Sequence, residues 1–367
     1  MSSGRIPKIV LTGGPCAGKT TALSKLRQRL EDLGYTVIVV TEAATDLILA
    51  GIQPRRLGPS GFQGQIIGLT QEKERRMLEA ARLMPGDRKV ILCDRGLADV
   101  LAYIPPHEAD LLLGERGLNL VSLRDEPYDA VIHLRSLAFD KPDLYSCENN
   151  IARSETVEQA AALDERTLAA WTGHSHLRIV DNSGDGLEGK IDRVLREVCS
   201  VLGIPAPVEI ERKYKITGVD IGLLPSPHAW VDITQYYLTT GNPDIEERVR
   251  IRSQGGGSIY FHTTKKKIGP GTRTEIERQV TKEEHLALLA RADPNCRPIQ
   301  KKRCCFPWNG LCFELDVFSQ PPGLILLEVE LTDINQEVTL PPFLADRAVD
   351  VTDDKAYSNR MLATVKS

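Results

Sequence analysis

Residues 13–20, Gly-Gly-Pro-Cys-Ala-Gly-Lys-Thr, complete the string G-x-x-x-x-G-K-[ST] directly after the apolar run of residues 8–12 and before a helical-period stretch that begins near Thr21. Strand, glycine-rich loop and helix in that order fix the start of a parallel α/β sheet. Successive backbone N–H groups of Gly13, Gly14, Pro15, Cys16, Ala17, Gly18, Lys19, Thr20 and Thr21, less the proline, can then curl round phosphates at a helix N-terminus. Lys19 is expected to bridge the outer phosphates and Thr20 to ligate magnesium. Asp94, which ends the apolar run 89–93, is the expected second carboxylate for that ion. Arg95, next in the chain, is expected either on a phosphate or in a surface ion pair. Glu42 follows the run 36–40, where a carboxylate can orient a hydroxyl or a water, or simply start a helix.

The same alternation of short β-branched runs and longer helical-period segments continues through residues 130–134 and 177–181. It predicts a mostly parallel sheet with helices on both faces. Residues 54–64, with Pro54, Pro59, Gly58 and Gly61, read as a loop. Beyond about residue 208 the period changes to two, which predicts antiparallel strands. Pro205 and Pro207 bar both helix and central strand, so the expected division is 1–203, a linker 204–208, and 209–367. A length of 367 residues suits two cores better than one.

Lys plus Arg number 46 against 50 Asp plus Glu, so no overall field favours nucleic acid, and any polyanion must be met locally. No apolar run reaches the ~18 residues of a membrane span, and the first seven residues lack the apolar stretch of a secretory signal. The eight cysteines form no Cys-x-x-Cys pair. Free thiols and a cytoplasmic address are the expectation.

Charge recurs at every second position in the later part. Glu209, Glu211 and Lys213 share one strand face, as do Arg248, Arg250 and Arg252; Arg273, Glu275 and Glu277; and Glu314 and Asp316. Glu328 and Glu330, Lys265 and Lys267, and Lys301 and Arg303 also share parity. A sheet with its charged face in water gives the same alternation. Three successive arginines on one flat face, however, repel one another unless an anion lies between them. An inward-facing arrangement would let the bases neutralise phosphoryl oxygens while the carboxylates hold divalent cations, which is chemistry for a linear triphosphate.

Leu11-Thr-Gly-Gly-Pro-Cys-Ala-Gly-Lys-Thr-Thr21, Cys93-Asp-Arg-Gly96, residues 128–134, Arg153-Ser-Glu155, residues 170–174 and Asp181-Asn-Ser183 together resemble the AAA-type P-loop NTPase/kinase-like domain related to NadR. That likeness covers about residues 6–200. It implies a lid in which Arg153 reaches the transferred phosphate, or else pairs on a helix surface with Glu155 or Glu158. ATP and GTP both remain open. The order E-x-E-x-K, R-x-R-x-R, K-x-K, R-x-E-x-E, K-x-R, E-x-D, E-x-E resembles the CYTH, or triphosphate tunnel metalloenzyme, family over about residues 207–364. That family implies an eight-stranded antiparallel tunnel using magnesium or manganese. The likeness implies metal ligation by Glu209, Glu211, Glu328 and Glu330, and triphosphate contacts from Lys213, Arg248, Arg250, Lys265, Arg273 and Arg303.

The combination is similar to the TRPL translocation defect protein type and its microbial relatives. The likeness implies GTP binding and recognition of an anionic lipid headgroup, phosphatidic acid or phosphoinositide, for which residues 265–267 are a candidate contact. A triphosphatase, a nucleotide-switched lipid-binding protein and a small-molecule kinase with an accessory tunnel are the three functions these residues allow.

Overall fold

A computed structural model describes residues 5–144, 156–184, 186–204, 210–242, 244–269 and 272–365; the side chains of residues 144, 267–269, 272 and 273 lie outside that description. The chain divides into two compact units, Met1–Val198 and Cys199–Ser367. The linker prolines Pro205 and Pro207 fall outside the described residues.

The first unit runs β1 (Lys8–Thr12), α1 (Lys19–Asp32), β2 (Thr36–Val40), α2 (Ala43–Leu49), α3 (Pro54–Leu83), β3 (Lys89–Asp94), α4 (Pro106–Glu115), β4 (Ala130–Leu134), α5 (Leu137–Asp140), α6 (Val157–Trp171), β5 (Leu177–Val180) and α7 (Gly186–Val201). Its five strands lie in the order β2-β3-β1-β4-β5, and every pair is parallel. All five residues of β4, and β3 up to its final Asp94, are buried, as strands covered on both faces require. The expected loop over 54–64 is instead the start of α3. Pro54 occupies its first turn, and Gly58 adopts φ 70°, so the helix breaks there and restarts at Pro59, whose missing N–H loses nothing in a first turn.

The second unit contains β6 (Ile210–Ile216), β7 (Ala229–Leu238), β8 (Ile245–Gln254), β9 (Gly257–Gly269), β10 (Thr272–Val280), α8 (Lys282–Leu289), β11 (Ile299–Trp308), β12 (Leu311–Gln320), β13 (Ile325–Leu331), α9 (Pro342–Ala345), β14 (Ala348–Asp350) and α10 (Asn359–Ala363). They form one antiparallel sheet, ordered β10-β9-β8-β7-β11-β12-β13-β6-β14. Nine strands thus replace the eight expected, because the three-residue β14 adds to β6. Among the described residues no ladder joins the two edges β10 and β14, so the expected closed barrel is not present as a hydrogen-bonded ring.

The sheet is nevertheless strongly curled. Six strand steps separate β9 from β6, about 29 Å if flat at ~4.8 Å per step, yet the Lys265 ammonium on β9 acts on the Glu211 carboxyl on β6. One face carries an apolar core of Cys304, Phe306, Phe313, Leu315, Leu327, Val329 and Leu331, closed by Leu344 of α9. The opposite face carries the charges. A second apolar cluster, with Tyr237, Ile299, Phe318, Leu326, Val351 and Ala363, sits at one end of that charged face. The seven described cysteines are thiols with no disulfide among them, as expected. No helix among the described residues is long and apolar enough to cross a membrane.

Candidate functional site

The loop between β1 and α1 is built where only glycine fits. A Cβ on Gly13, at φ 135°, would lie 2.0 Å from the Leu134 carbonyl oxygen, and one on Gly14 would lie 2.7 Å from Cβ of Asp164. Cys16 (φ 56°) and Gly18 (φ 84°) are left-handed, which curls the backbone before α1. Pro15 and Cys16 are half-buried, Ala17 is buried beneath them, and Thr20 and Thr21 are exposed on the first turn of α1. Lys19 Nζ donates to the carbonyls of Gly13 (2.9 Å) and Gly14 (3.0 Å).

Asp94 ends β3 beside this loop, and its carboxyl is pushed up by burial and then by Glu42 and Asp99, against Lys19 and Arg95. Arg95 is strained at φ 67°. Its Nε donates to Glu42 (2.7 Å), and Nη1 lies 3.4 Å from Asp99, so its ion pair is an internal one. Glu42 precedes α2 and also accepts from Thr45 Oγ1 at 2.7 Å. Burial raises the Glu42 carboxyl, but Arg95, Thr45 and Lys19 together hold it below the ordinary value. Lys19, Asp94, Glu42 and Arg95 are therefore brought together; Arg153 lies outside the described residues.

Burial, and next the Arg95 cation, push Lys19 down to about 8. Its charge is present below that pH and lost above it, so nucleotide affinity should fall by about tenfold per pH unit above 8, while Lys19→Arg should flatten the profile. Titration with a fluorescent nucleotide between pH 7 and 9.5 reads this, and a flat wild-type profile contradicts it.

Several supports were not legible beforehand. Asp99, buried behind the loop, accepts from Gly96 N (2.7 Å) and from Thr12 Oγ1. Trp171 is wholly buried and edge-on to Tyr128, with ring centroids 5.5 Å apart. It lies so close to Gly96 that a Cβ there would meet its ring at 2.8 Å. Tyr128 Oη accepts from Leu97 N and donates to Glu74, each at 2.8 Å. Trp171, for which the sequence offered no duty beyond packing, thus underpins the turn after β3. Asn182 donates to the carbonyls of Arg135 and Ser136 (both 3.2 Å) and accepts from Lys190 Nζ (2.6 Å), which ties the ends of β4 and β5 together.

In the second unit the alternating charges do share one face and are largely buried. Lys213 Nζ lies 2.9 Å from both Glu211 and Glu328. Arg303 donates to Asp316 (2.7 and 2.6 Å), to Glu328 (2.7 Å) and to Glu314. Lys301 also pairs with Asp316. Arg248 and Arg250 reach across β9 to Glu275 (3.0 Å) and Glu277 (2.7 Å) of β10, and Arg252 Nη2 lies 3.8 Å from Cys305 Sγ. Two of the three arginines are therefore met by carboxylates two strands away, a solution to their repulsion that the sequence alone does not reveal. Lys265 turns inward to Glu275 (2.7 Å), away from any surface role. Glu330 is exposed on β13, opposite Glu211. Glu209 and the side chains of Lys267 and Arg273 lie outside the described residues.

Electrostatically the face is uneven. The bases gather on β8 and β11 and the acids on β10, β12 and β13, while β6 carries both Glu211 and Lys213. Burial, followed by Glu328, raises the Glu211 carboxyl, while Lys213 and Lys265 oppose the rise. Burial, partly offset by Glu277, lowers Arg250, and Arg248, Arg252 and Arg303 lower it further. No group of three His, Cys, Asp or Glu side chains is gathered as a metal cage among the described residues.

The first unit is a parallel α/β sheet with a phosphate-loop-like turn, and the second a curled antiparallel sheet with a largely buried face of paired charges. Residues 8–188 match the family model described as an AAA domain. Among solved structures, the chain is similar to the inorganic triphosphatase NE1496 at 31% identity, over 43% of this chain and 95% of that one, with a TM-score of 0.31. It is also similar to PH1819 protein from Pyrococcus horikoshii OT3 at 20% identity, over 36% of this chain and 80% of that one, with a TM-score of 0.27. No curated protein matches.

Proposed function

We propose that this is a metal-dependent triphosphate-binding and -hydrolysing protein, in which a CYTH-type tunnel acts on a linear triphosphate and the P-loop unit binds ATP or GTP. Arg250 carries this proposal. It pairs with Glu277, yet Arg248, Arg252 and Arg303 all oppose its charge, and an incoming polyanion would relieve a repulsion that Glu277 only partly offsets.

Arg248, Arg250, Arg252 and Lys265 would hold the phosphoryl oxygens from one wall, with Lys213, Lys301 and Arg303 opposite. A water oxygen attacks the terminal phosphorus. The bridging P–O bond breaks, diphosphate leaves with the electron pair, and the water's proton ends on orthophosphate or in solvent. In the P-loop unit, Lys19 contacts the outer phosphates and Glu42 orients the attacking water or hydroxyl.

Magnesium or manganese fits both places. Asp94 is crowded by the fields of Glu42 and Asp99, and Glu211 by that of Glu328, so a divalent cation relieves each repulsion. Thr20 and Asp94 would hold it in the first unit, and Glu211 and Glu328 in the second. A cation there would complete its shell with phosphate oxygens and water. Bound there, it neutralises charge that develops on the phosphoryl oxygens.

Incubation of the full chain with tripolyphosphate and magnesium chloride should release orthophosphate in a malachite-green assay, with manganese as the parallel arm. No release above the blank with either cation refutes the tunnel activity.

A further inference from the structure

Asp164 lies in the middle of α6, far in sequence from the phosphate loop, and is completely buried. Its Oδ1 accepts from the backbone N–H of Gly14 at 2.7 Å and from that of Ser136 at 3.2 Å. His133 Nε2 lies 3.3 Å from the same oxygen, and Arg135 Nε lies 3.3 Å from Oδ2. Ser136 Oγ also donates to the carbonyl of Pro15, so the loop is gripped at two successive residues. Burying a carboxylate is costly, and packing alone would be served by an apolar side chain. A charge kept here calls for a task.

The geometry of one peptide group supplies that task. A trans peptide points its C=O and its N–H to opposite sides. The Gly13–Gly14 peptide gives its N–H to Asp164, and its C=O accepts from Lys19 Nζ at 2.9 Å on the other side. We propose that Asp164 is a positioning residue for nucleotide binding: by holding the Gly14 N–H it fixes the Gly13–Gly14 peptide plane and, through the Gly13 carbonyl, the place of the Lys19 ammonium. This rests on the P-loop unit binding a nucleoside triphosphate. Gly14 fits the same arrangement, because Cβ of Asp164 stands only 2.7 Å from where a Cβ on residue 14 would lie.

The effect is expected to be selective. Lys19 serves the outer phosphates, so loosening its peptide should weaken a triphosphate more than a diphosphate. In full-length protein, Asp164→Ala should raise the Kd of a fluorescent ATP or GTP analogue about tenfold, the equivalent of one charged hydrogen bond. The corresponding diphosphate should change by less than a third of that. Asp164→Asn keeps an acceptor for Gly14 without the charge, so an intermediate change in the triphosphate-to-diphosphate ratio is expected. Circular dichroism reports whether each variant is folded; if Asp164→Ala is not, Asp164→Asn decides alone. An unchanged ratio in a folded variant, or equal losses for both nucleotides, overturns the positioning role. Failure of the wild-type chain to bind either nucleotide would instead refute the nucleotide reading itself.

Discussion

Arg303→Met should cost the second unit about 3–5 kcal/mol, the range seen when one member of a buried ion network is removed. Arg303 is buried and donates to three carboxylates, those of Asp316, Glu328 and Glu314, and Asp316 is completely buried. Lys301 and Lys213 remain for Asp316 and Glu328, but Glu314 loses the cation that acts on it most strongly. Against a total of about 5–15 kcal/mol for a typical domain the loss is large.

Its pH dependence has a definite sign. Burial raises the Glu328 carboxyl, yet Lys213, Lys301 and Arg303 hold it well below the ordinary value. Glu314 is held down mainly by Arg303, against burial. In the wild type both contribute stability above their unfolded pKa values and lose it as pH falls through the folded ones. Without Arg303, burial and repulsion push the carboxyls up, and the variant recovers as they protonate. Its deficit should be larger at pH 8 than at pH 5. Urea unfolding followed by circular dichroism measures both, and an unchanged midpoint at pH 8 refutes the structural role.

Arg250→Met should do the reverse, leaving stability within about 1 kcal/mol while reducing tripolyphosphate turnover at least about 100-fold. Arg250 meets a single carboxylate, Glu277, which Thr263 Oγ1 also serves at 2.8 Å. Its guanidinium lies 5.0 Å from the Phe261 ring centroid, apolar surroundings that methionine can occupy. Removal also relieves repulsion with Arg248, Arg252 and Arg303. The number of acids each already has thus separates two arginines of one face in expectation: losing Arg303 should damage the fold as well as any anion contact, and losing Arg250 mainly the anion contact. Turnover within tenfold of the parent would contradict this assignment.

The phosphate loop was legible because its chemistry is local: eight consecutive residues carry strand end, turn and helix start. Glu42, Asp94 and Arg95 could be singled out because strands of a parallel sheet end on one side. Asp164 could not, since a helical aspartate among alanines and leucines gives no hint that its carboxylate meets an amide 150 positions earlier. In the second unit, period-two charge revealed most strands but passed over β7. That strand contributes Val231, Ile233, Gln235 and Tyr237, all buried, to the charged side, through registers with Arg303, Lys301, Arg250 and Arg248. The three residues of β14 carry no pattern at all, and the expectation of eight strands came from the family resemblance rather than from the periodicity. Parity likewise grouped Glu330 with Glu328, although one is exposed and the other buried.

β7, whose side chains on this face are all uncharged, is more than a gap in a pattern. Standing between β8 and β11, it keeps two cationic rows, the arginines of β8 and Lys301 with Arg303 of β11, two strand widths apart, about 10 Å along the sheet. A chain of linked phosphates can touch both rows at once, whereas a lone orthophosphate reaches only one. Length discrimination, and easy escape of the shortened product, would then follow from a strand that offers the anion no charge.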